Sequence, residues 1–200
     1  MSHEISITPD DESQAIAQLV ASRTTLDQLH LTGMCGVYAM YVTQSDLLAP
    51  FPAGHEGVIY VGKCNDLCAR EFEVHFSPLK TGYSSLRQLL GAVLQDKLAL
   101  KALPRGPGDS ETVVKNYRFR RDGDERLTQW MREHVRIGVY PCDRYKEIEA
   151  GVVARAQPTL NLTGWKNPHA PAIRQLRKTC VEEARAARVL EIVPPQPSVN

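Results

Sequence analysis

Residues 57–75, GVIYVGKCNDLCAREFEVH, place a strand, a glycine and a helix in immediate succession. Positions 58–61 are β-branched or aromatic, which favours a strand, and Gly62 is predicted to end it. Asn65 and Asp66, both of residue types that cap helices, follow, and apolar residues then recur at helical spacing. This order predicts a strand, a glycine turn and a helix that bring four side chains close together: Tyr60, Lys63, Arg70 and His75.

A second aromatic strand lies ahead of this segment, at residues 35–42, CGVYAMYV. Its residues alternate around one glycine, as in a strand with two different faces, and we expect it to pair with residues 58–61 as a hairpin. Residues 135–140 have the same alternation and predict a third strand. Apolar stripes at helical spacing predict helices over residues 9–30 (one helix or two short ones), 86–100, 125–134, a segment ending at 156, and 170–189.

The two aromatic strands carry the tripeptides Gly36-Val37-Tyr38 and Tyr60-Val61-Gly62. Together they resemble the paired motif of the GIY-YIG endonuclease superfamily, with valine in place of isoleucine. Further positions match the family in the same order, over residues 35–76 and 135–162: Lys63, Arg70, His75, Glu149 and Asn161. The resemblance is to stand-alone, restriction-like members.

The resemblance implies an α+β fold with a small three-stranded antiparallel sheet flanked by helices. Around this core we expect a largely helical insertion and additional helices at both ends. The predicted organisation is a single nuclease domain over residues 1–190, followed by a disordered tail. Its parts are a core at 35–76 and 135–162, an insertion at 77–134, an N-terminal helix at 9–30, a basic C-terminal helix at 170–189, and the tail at 191–200.

The activity that the resemblance implies is hydrolysis of DNA phosphodiester bonds with Mg²⁺ or Mn²⁺. Glu149 would hold the metal ion, and one carboxylate suffices because Mg²⁺ retains several waters. Arg70 would brace the phosphate with its planar guanidinium group. Asn161 would orient Glu149 or the backbone around it.

A tyrosine would activate the attacking water, with Tyr60 as the first choice and Tyr38 as the alternative. A phenol ordinarily titrates near pH ~10, so Lys63 or the metal ion would have to lower its pKa. His75 would share the proton transfer or contact the phosphate.

Two spacings depart from the family pattern. The gap between the tripeptides, residues 39–59, is longer than in compact members, so residues 44–56 are predicted to form an inserted loop. Arg70 and His75 are five positions apart, which leaves the role of His75 open.

The net charge of +1 conceals an asymmetry that bears on nucleic-acid binding. Residues 1–100 hold 6 Lys/Arg against 11 Asp/Glu, whereas residues 101–200 hold 18 against 12. A basic face for DNA phosphates is therefore expected in the second half. The candidate DNA-binding residues are Arg105, Lys115, Arg118, Arg120, Arg121, Arg174, Arg177 and Lys178.

Residues 115–121, KNYRFRR, leave two interpretations open. As a basic and aromatic strand they suit phosphate contact combined with base stacking. As an edge strand they would place the aromatic rings in the core and the arginines in solvent.

Other features narrow the class of protein. The sequence has no apolar stretch of membrane-spanning length, and its first residues are acidic and polar, so we expect a cytoplasmic protein without a membrane partner. Five cysteines without regular spacing predict reduced thiols. The expected setting is restriction or genome defence, with a homodimer as a further expectation. The alternatives are a non-catalytic nucleic-acid-binding module on the same fold and a DNA repair nuclease.

Overall fold

The computed structural model describes residues 8–29, 33–67, 69–108 and 110–192, apart from the side chains of residues 69–71 and 189–192. Residues 193–200 of the predicted tail lie outside this description. The helices and strands in chain order are α1 (Pro9–Ala21), β1 (Gly36–Val42), β2 (Val58–Cys64), α2 (Ala69–Phe76), α3 (Ser85–Val93), β3 (Ala102–Leu103), α4 (Glu111–Lys115), β4 (Arg118–Phe119), α5 (Arg121–His134), β5 (Val135–Pro141), α6 (Tyr145–Ala156) and α7 (Ala170–Ile192).

The chain divides into two compact units. The sheet unit comprises Met1–Phe76 and Trp130–Ala170, and the helical unit comprises Ser77–Gln129 and Pro171–Asn200. The assignment of residues 1–190 to one nuclease domain stays a prediction.

A three-stranded antiparallel sheet forms the centre of the sheet unit, in the order β2-β1-β5. The predicted hairpin is present, since Tyr38 on β1 lies opposite Gly62 on β2. With helices flanking this sheet and a largely helical insertion, the predicted α+β fold is confirmed.

The prediction that Gly62 ends the second strand is wrong. Lys63 and Cys64 continue the ladder opposite Val37 and Gly36, so β2 runs two residues further and α2 begins only at Ala69. A partner strand, rather than local propensity, decides where β2 ends.

One face of the sheet packs against α1 and α6. Gly138 on β5 lets α1 come close, because a Cβ there would lie 1.9 Å from the carbonyl oxygen of Leu19. Val37, Ala39 and Val61 point into this layer, where burial of apolar surface stabilises the unit. The buried core of this face is Ala15, Leu19, Val37, Ala39, Tyr41, Val58, Val61, Ile148, Val152, Val153 and Ala156.

The opposite face is aromatic and packs against α2. Side chains alternate along β1, so Tyr38 and Met40 point away from the α6 layer. Phe72 on α2 is fully buried and meets the Tyr38 ring edge to face at 5.4 Å between centroids. The sheet therefore buries a mainly aliphatic surface under α1 and α6, and the Tyr38–Phe72 contact lies on its other side.

Two predicted elements of the helical unit are shorter in the structure, and α5 begins at Arg121, four residues before the predicted start. The helix predicted over 86–100 ends at Val93, and the chain turns through 94–99, where Ala99 has a φ of 47°. The strand predicted over 115–121 is reduced to Arg118–Phe119, because residues 111–115 and 121–134 are helical. Tyr117 and Phe119 are fully buried, as in the edge-strand interpretation.

An ion pair lies at the centre of the helical unit. The Arg87 guanidinium is 3.0 Å from the Asp124 carboxylate, and both side chains are fully buried. Arg87 also donates to Thr81 at 3.1 Å and to Thr128 at 2.9 Å, and Asp124 accepts from Thr81 Oγ1 and from the Leu79 amide. A buried pair of charges requires such hydrogen bonds to offset desolvation, so the network fixes residues 79–81 against α3 and α5.

Candidate active site

Tyr38 and His75 form a buried hydrogen bond on the aromatic face of the sheet. The Tyr38 hydroxyl lies 3.0 Å from His75 Nε2, and the two residues are 3 % and 7 % exposed. His75 stands three positions after Phe72, so one face of α2 supplies both contacts to the tyrosine ring. The phenol donates this hydrogen bond when Nε2 is unprotonated, which gives Tyr38 a proton acceptor.

Tyr60 lies beside this pair. It faces Met40 across the ladder, on the same side of the sheet as Tyr38, and the two tyrosine rings are 6.3 Å apart. Tyr60 is half-buried and therefore more accessible than Tyr38. Both candidate tyrosines thus belong to one aromatic cluster.

Lys63 and Glu149 form an ion pair, with Nζ 2.7 Å from Oε2. Lys63 lies opposite Val37 on the ladder, so alternation along β2 directs it toward the α6 layer, away from Tyr60. Glu149 follows the buried Ile148 on α6 and is 18 % exposed at its side chain. The structure thus places Tyr60 and Lys63, predicted to lie together, on opposite faces of β2.

Asn161 lies against the edge of β2. Its side-chain oxygen accepts from the Val61 amide and its side-chain nitrogen donates to the Val61 carbonyl, both at 2.9 Å. The Leu160 amide also donates to the carbonyl of Ile59 at 2.7 Å. Asn161 therefore fixes the β2 backbone between Tyr60 and Lys63. The prediction was that it would orient Glu149 or the backbone around that residue, and the hydrogen bonds of its side chain go to β2 instead.

Arg70 lies in α2, one turn or so ahead of His75, and its side chain falls outside the described part of the molecule. Its role as a phosphate-binding group stays a prediction.

Glu149 is the carboxylate predicted to hold a divalent metal ion, and its Oε2 is paired with Lys63. Among the described residues no group of three or more His, Cys, Asp or Glu side chains is arranged to hold a metal. Mg²⁺ commonly binds through one or two carboxylates and keeps its remaining waters. The donors therefore fit a Mg²⁺ ion held by Glu149 and water, and they do not fit a metal enclosed by protein ligands.

The candidate DNA-binding residues lie in the helical unit and fall into three groups. A cavity of about 330 Å³ gathers four of them, Lys115, Arg174, Arg177 and Lys178. Arg105 lines a second cavity of about 250 Å³. The other three lie on β4, between β4 and α5, and at the start of α5: Arg118, Arg120 and Arg121.

Arg120 is already paired. Its guanidinium donates to both oxygens of Asp122, at 2.6 and 2.7 Å, which holds the pKa of that carboxyl well below its usual range. Arg118 is half-buried and Arg121 is exposed. The largest group of candidate DNA-binding cations is therefore the four residues that line the first cavity, and Arg121 lies apart from them on α5.

Tyr83 was not predicted as a functional residue, although it lines the second cavity and is 66 % exposed. The available signal was an aromatic residue in a polar turn, in Thr81-Gly82-Tyr83-Ser84-Ser85, close to Lys80. Such turns are common, and the sequence does not show that the ring stays in solvent.

The family model described as the GIY-YIG catalytic domain matches residues 37–182, nearly three quarters of the chain. The matched span includes all seven predicted catalytic residues and most of the helical unit. Comparisons with curated proteins and with solved structures gave no match. Within the described residues, no helix is long and apolar enough to cross a membrane.

Proposed function

Because the chain belongs to the GIY-YIG family, whose catalytic domain is a nuclease domain, we propose that it is a DNA endonuclease that hydrolyses phosphodiester bonds with a divalent metal ion. The observation that carries this proposal is the buried hydrogen bond between Tyr38 and His75, at 3.0 Å. When Nε2 is unprotonated, it gives the phenol a proton acceptor inside the matched domain, and a tyrosine must lose its proton before it can act as a base.

Phosphodiester hydrolysis requires a deprotonated water in line with the leaving oxygen and positive charge near the phosphate. A metal ion held by Glu149 would supply Lewis-acid stabilisation of the charge that develops on the phosphate and the leaving oxygen. Arg70 is proposed to hold the phosphate, and Asn161 to keep β2 in place between Tyr60 and Lys63.

We propose that Tyr38 is the base and that His75 takes up its proton. A phenol with a pKa near ~10 is a poor base at neutral pH, and an acceptor within hydrogen-bonding distance lowers the barrier to its ionisation. Tyr60, more exposed and in the same aromatic cluster, is proposed to contact the scissile phosphate. Phenylalanine variants of the two tyrosines distinguish this assignment from the one in which Tyr60 is the base and Tyr38 contacts the phosphate.

Lys63 is proposed to act through Glu149. With Nζ 2.7 Å from Oε2, it holds the carboxylate in one orientation. The same contact favours a second candidate function, a nucleic-acid-binding module without nuclease activity, because a lysine that neutralises Glu149 competes with a metal ion for the same oxygen.

Nicking of supercoiled plasmid separates the two functions. The nuclease is expected to convert supercoiled plasmid to open circles or linear DNA with Mg²⁺ or Mn²⁺, and to leave it intact with a chelator. A folded protein that binds the plasmid and cuts it under neither metal condition would establish the binding module.

For the biological setting we propose restriction or genome defence, with the helical unit recognising the DNA. The clustering of cationic residues in that unit supports this division of labour. Sequencing the ends produced from defined DNA tests it, because a restriction enzyme yields recurring ends and a non-specific repair nuclease yields dispersed ones.

A further inference from the structure

Tyr83 is an exposed aromatic ring held on a rigid support. It closes a single helical turn, Thr81–Tyr83, in which its amide donates to the carbonyl of Lys80 at 2.9 Å. Thr81 is fully buried and bonded to Arg87 and Asp124. The buried ion pair therefore anchors the turn that presents the ring.

Two cations lie next to the ring. The Arg105 guanidinium carbon is 5.2 Å from the ring centroid and Lys80 Nζ is 5.9 Å from it, both within the range of cation–π attraction. Arg105 is held there by its backbone, which donates to Val113 at 3.0 Å, and by Gly82, where a Cβ would lie 2.6 Å from the Arg105 stem. Although the segment around Arg105 is rich in proline and glycine, Arg105 itself is fixed.

The cavity beside Tyr83 is lined mainly by hydrogen-bonding groups. Besides the ring and Arg105, its walls contain Ser84, Ser85, Gln88 and Asn116. Ser84 and Gln88 are buried and already hydrogen-bonded. The exposed Ser85 and the half-buried Asn116 are the groups that suit the polar edge of a planar, hydrogen-bonding ligand.

Arg177 contacts residues of two cavities: the one beside Tyr83 and the larger one lined by Lys115, Arg174, Arg177 and Lys178, called here the cationic cavity. Its guanidinium donates to Gln88 Oε1 at 3.2 Å and to the Lys115 carbonyl at 3.4 Å, so it contacts a residue lining each cavity. Its Nε is buried and has no hydrogen-bond partner among the described residues. All four charged residues described at this cavity are cations, an arrangement that suits phosphate groups.

We propose that the helical unit binds an unpaired nucleotide of a DNA strand, with the base stacked on Tyr83 and the neighbouring phosphates held by Lys115, Arg174, Arg177 and Lys178. Stacking requires a free base face, which a paired and stacked duplex does not offer, and tolerates any base because every base has a π-face. The inference rests on the proposed function only for the choice of DNA as the strand.

Binding of a fluorescein-labelled oligothymidine to the full chain in chelator tests the stacking. Tyr83→Ala is expected to weaken binding about tenfold, as for removal of one base–aromatic stack, and Tyr83→Phe to stay within about twofold of the native protein. Leu79→Ala, which shortens another exposed apolar side chain ahead of the same turn, is the matched control and is expected to bind normally.

An abasic strand of the same length and a fully paired duplex identify the ligand. The native protein is expected to lose the Tyr83-dependent part of its affinity on both, so that Tyr83→Ala and native protein bind these ligands equally. Unchanged oligothymidine binding by Tyr83→Ala, an equal loss in Tyr83→Phe, or the same loss on the abasic strand would overturn the proposal.

The salt dependence tests the phosphate contacts. Replacing Arg174 and Lys178 together with alanine is expected to flatten the log–log salt slope for the single strand by about 0.7 for each phosphate that is no longer neutralised, and an unchanged slope contradicts their role. All these binding measurements are made in chelator, so no metal is present and the DNA is not cleaved. A chain that cuts plasmid yet shows no Tyr83 effect would refute this inference alone, whereas a chain that shows the effect and never cuts would refute the nuclease proposal alone.

Discussion

The Tyr38 ring lies against the backbone of Gly62, so closely that a Cβ at position 62 would come within 2.5 Å of the phenolic oxygen and of the carbon that bears it. The two residues are direct partners on the antiparallel ladder. Gly62, the last residue of the second tripeptide, therefore leaves the space that the ring of Tyr38, the last residue of the first tripeptide, occupies.

Gly62→Ala is expected to displace Tyr38 and to separate its hydroxyl from His75. The free energy of unfolding should fall by about 1–3 kcal/mol, as for other overpacked sites. The variant should remain folded but lose most of its nicking activity. Urea denaturation and plasmid nicking measure the two effects. Gly106→Ala is the control, since nothing lies within 4 Å of a Cβ there. Full activity in Gly62→Ala would show that the Tyr38 position is not critical.

Glu149→Ala is expected to abolish cleavage and to leave DNA affinity largely unchanged, because it removes the proposed metal ligand and no phosphate contact. Glu147→Ala, two positions earlier on α6 and exposed, is the matched variant and should cut normally. Nicking and binding assays on both proteins check this. Metal-dependent cutting at the native rate by Glu149→Ala would refute the metal assignment.

The two tyrosines are separated by their phenylalanine variants. If Tyr38 is the base, Tyr38→Phe should lower the single-turnover rate by about a hundredfold or more, the usual scale for loss of a general base, and Tyr60→Phe should have the smaller effect. Phenylalanine keeps the ring packing, but Tyr38→Phe removes the buried hydrogen bond to His75 and should lower the free energy of unfolding by about 1–3 kcal/mol, so thermal unfolding must show that the variant is folded at the assay temperature. The opposite ranking of the two rates would assign the base to Tyr60.

Arg118→Ala combined with Arg120→Ala is expected to change duplex binding little. Asp122 already neutralises Arg120, and Arg118 is half-buried on β4. The log–log salt slope should therefore fall by less than about 0.9, the value of one duplex phosphate contact. A fall of about 1.8, twice that value, would mean that both arginines bind phosphate and would favour the DNA-contacting interpretation of residues 115–121.

Local patterns predicted the parts of the fold that depend on neighbouring residues. Alternation and glycine placement predicted β1, β2 and their pairing, and the helical spacing predicted α6 and α7. The extension of β2 past Gly62 was not predictable in this way, because Lys63 and Cys64 are held by partners on β1. The pattern at 86–100 likewise predicted a single helix but could not reveal the turn that buries Leu100.

In the candidate site, too, the sequence indicated the residues but not their long-range contacts. The family motif pointed to Tyr38, His75 and Glu149 as candidates, but did not show that Tyr38 and His75 meet on one side of the sheet while Glu149 pairs with Lys63 on the other. Nothing near Arg87 in sequence distinguishes it from an ordinary helix residue, since its buried partner Asp124 is 37 positions away. Long-range pairing of charges, and the exposure of Tyr83 that depends on it, leave no local trace in the sequence.

The position of β1 between β2 and β5 has a consequence for synthesis of the chain. The ribosome makes β1 and β2 early, but residues 65–134 must emerge before β5 can complete the sheet. Until then β1 is an edge strand with unpaired amide and carbonyl groups, the kind of edge that recruits another chain. A nascent chain paused within the helical unit would thus display Tyr38 and Tyr60 on an open hairpin, accessible to a chaperone or to a second nascent copy.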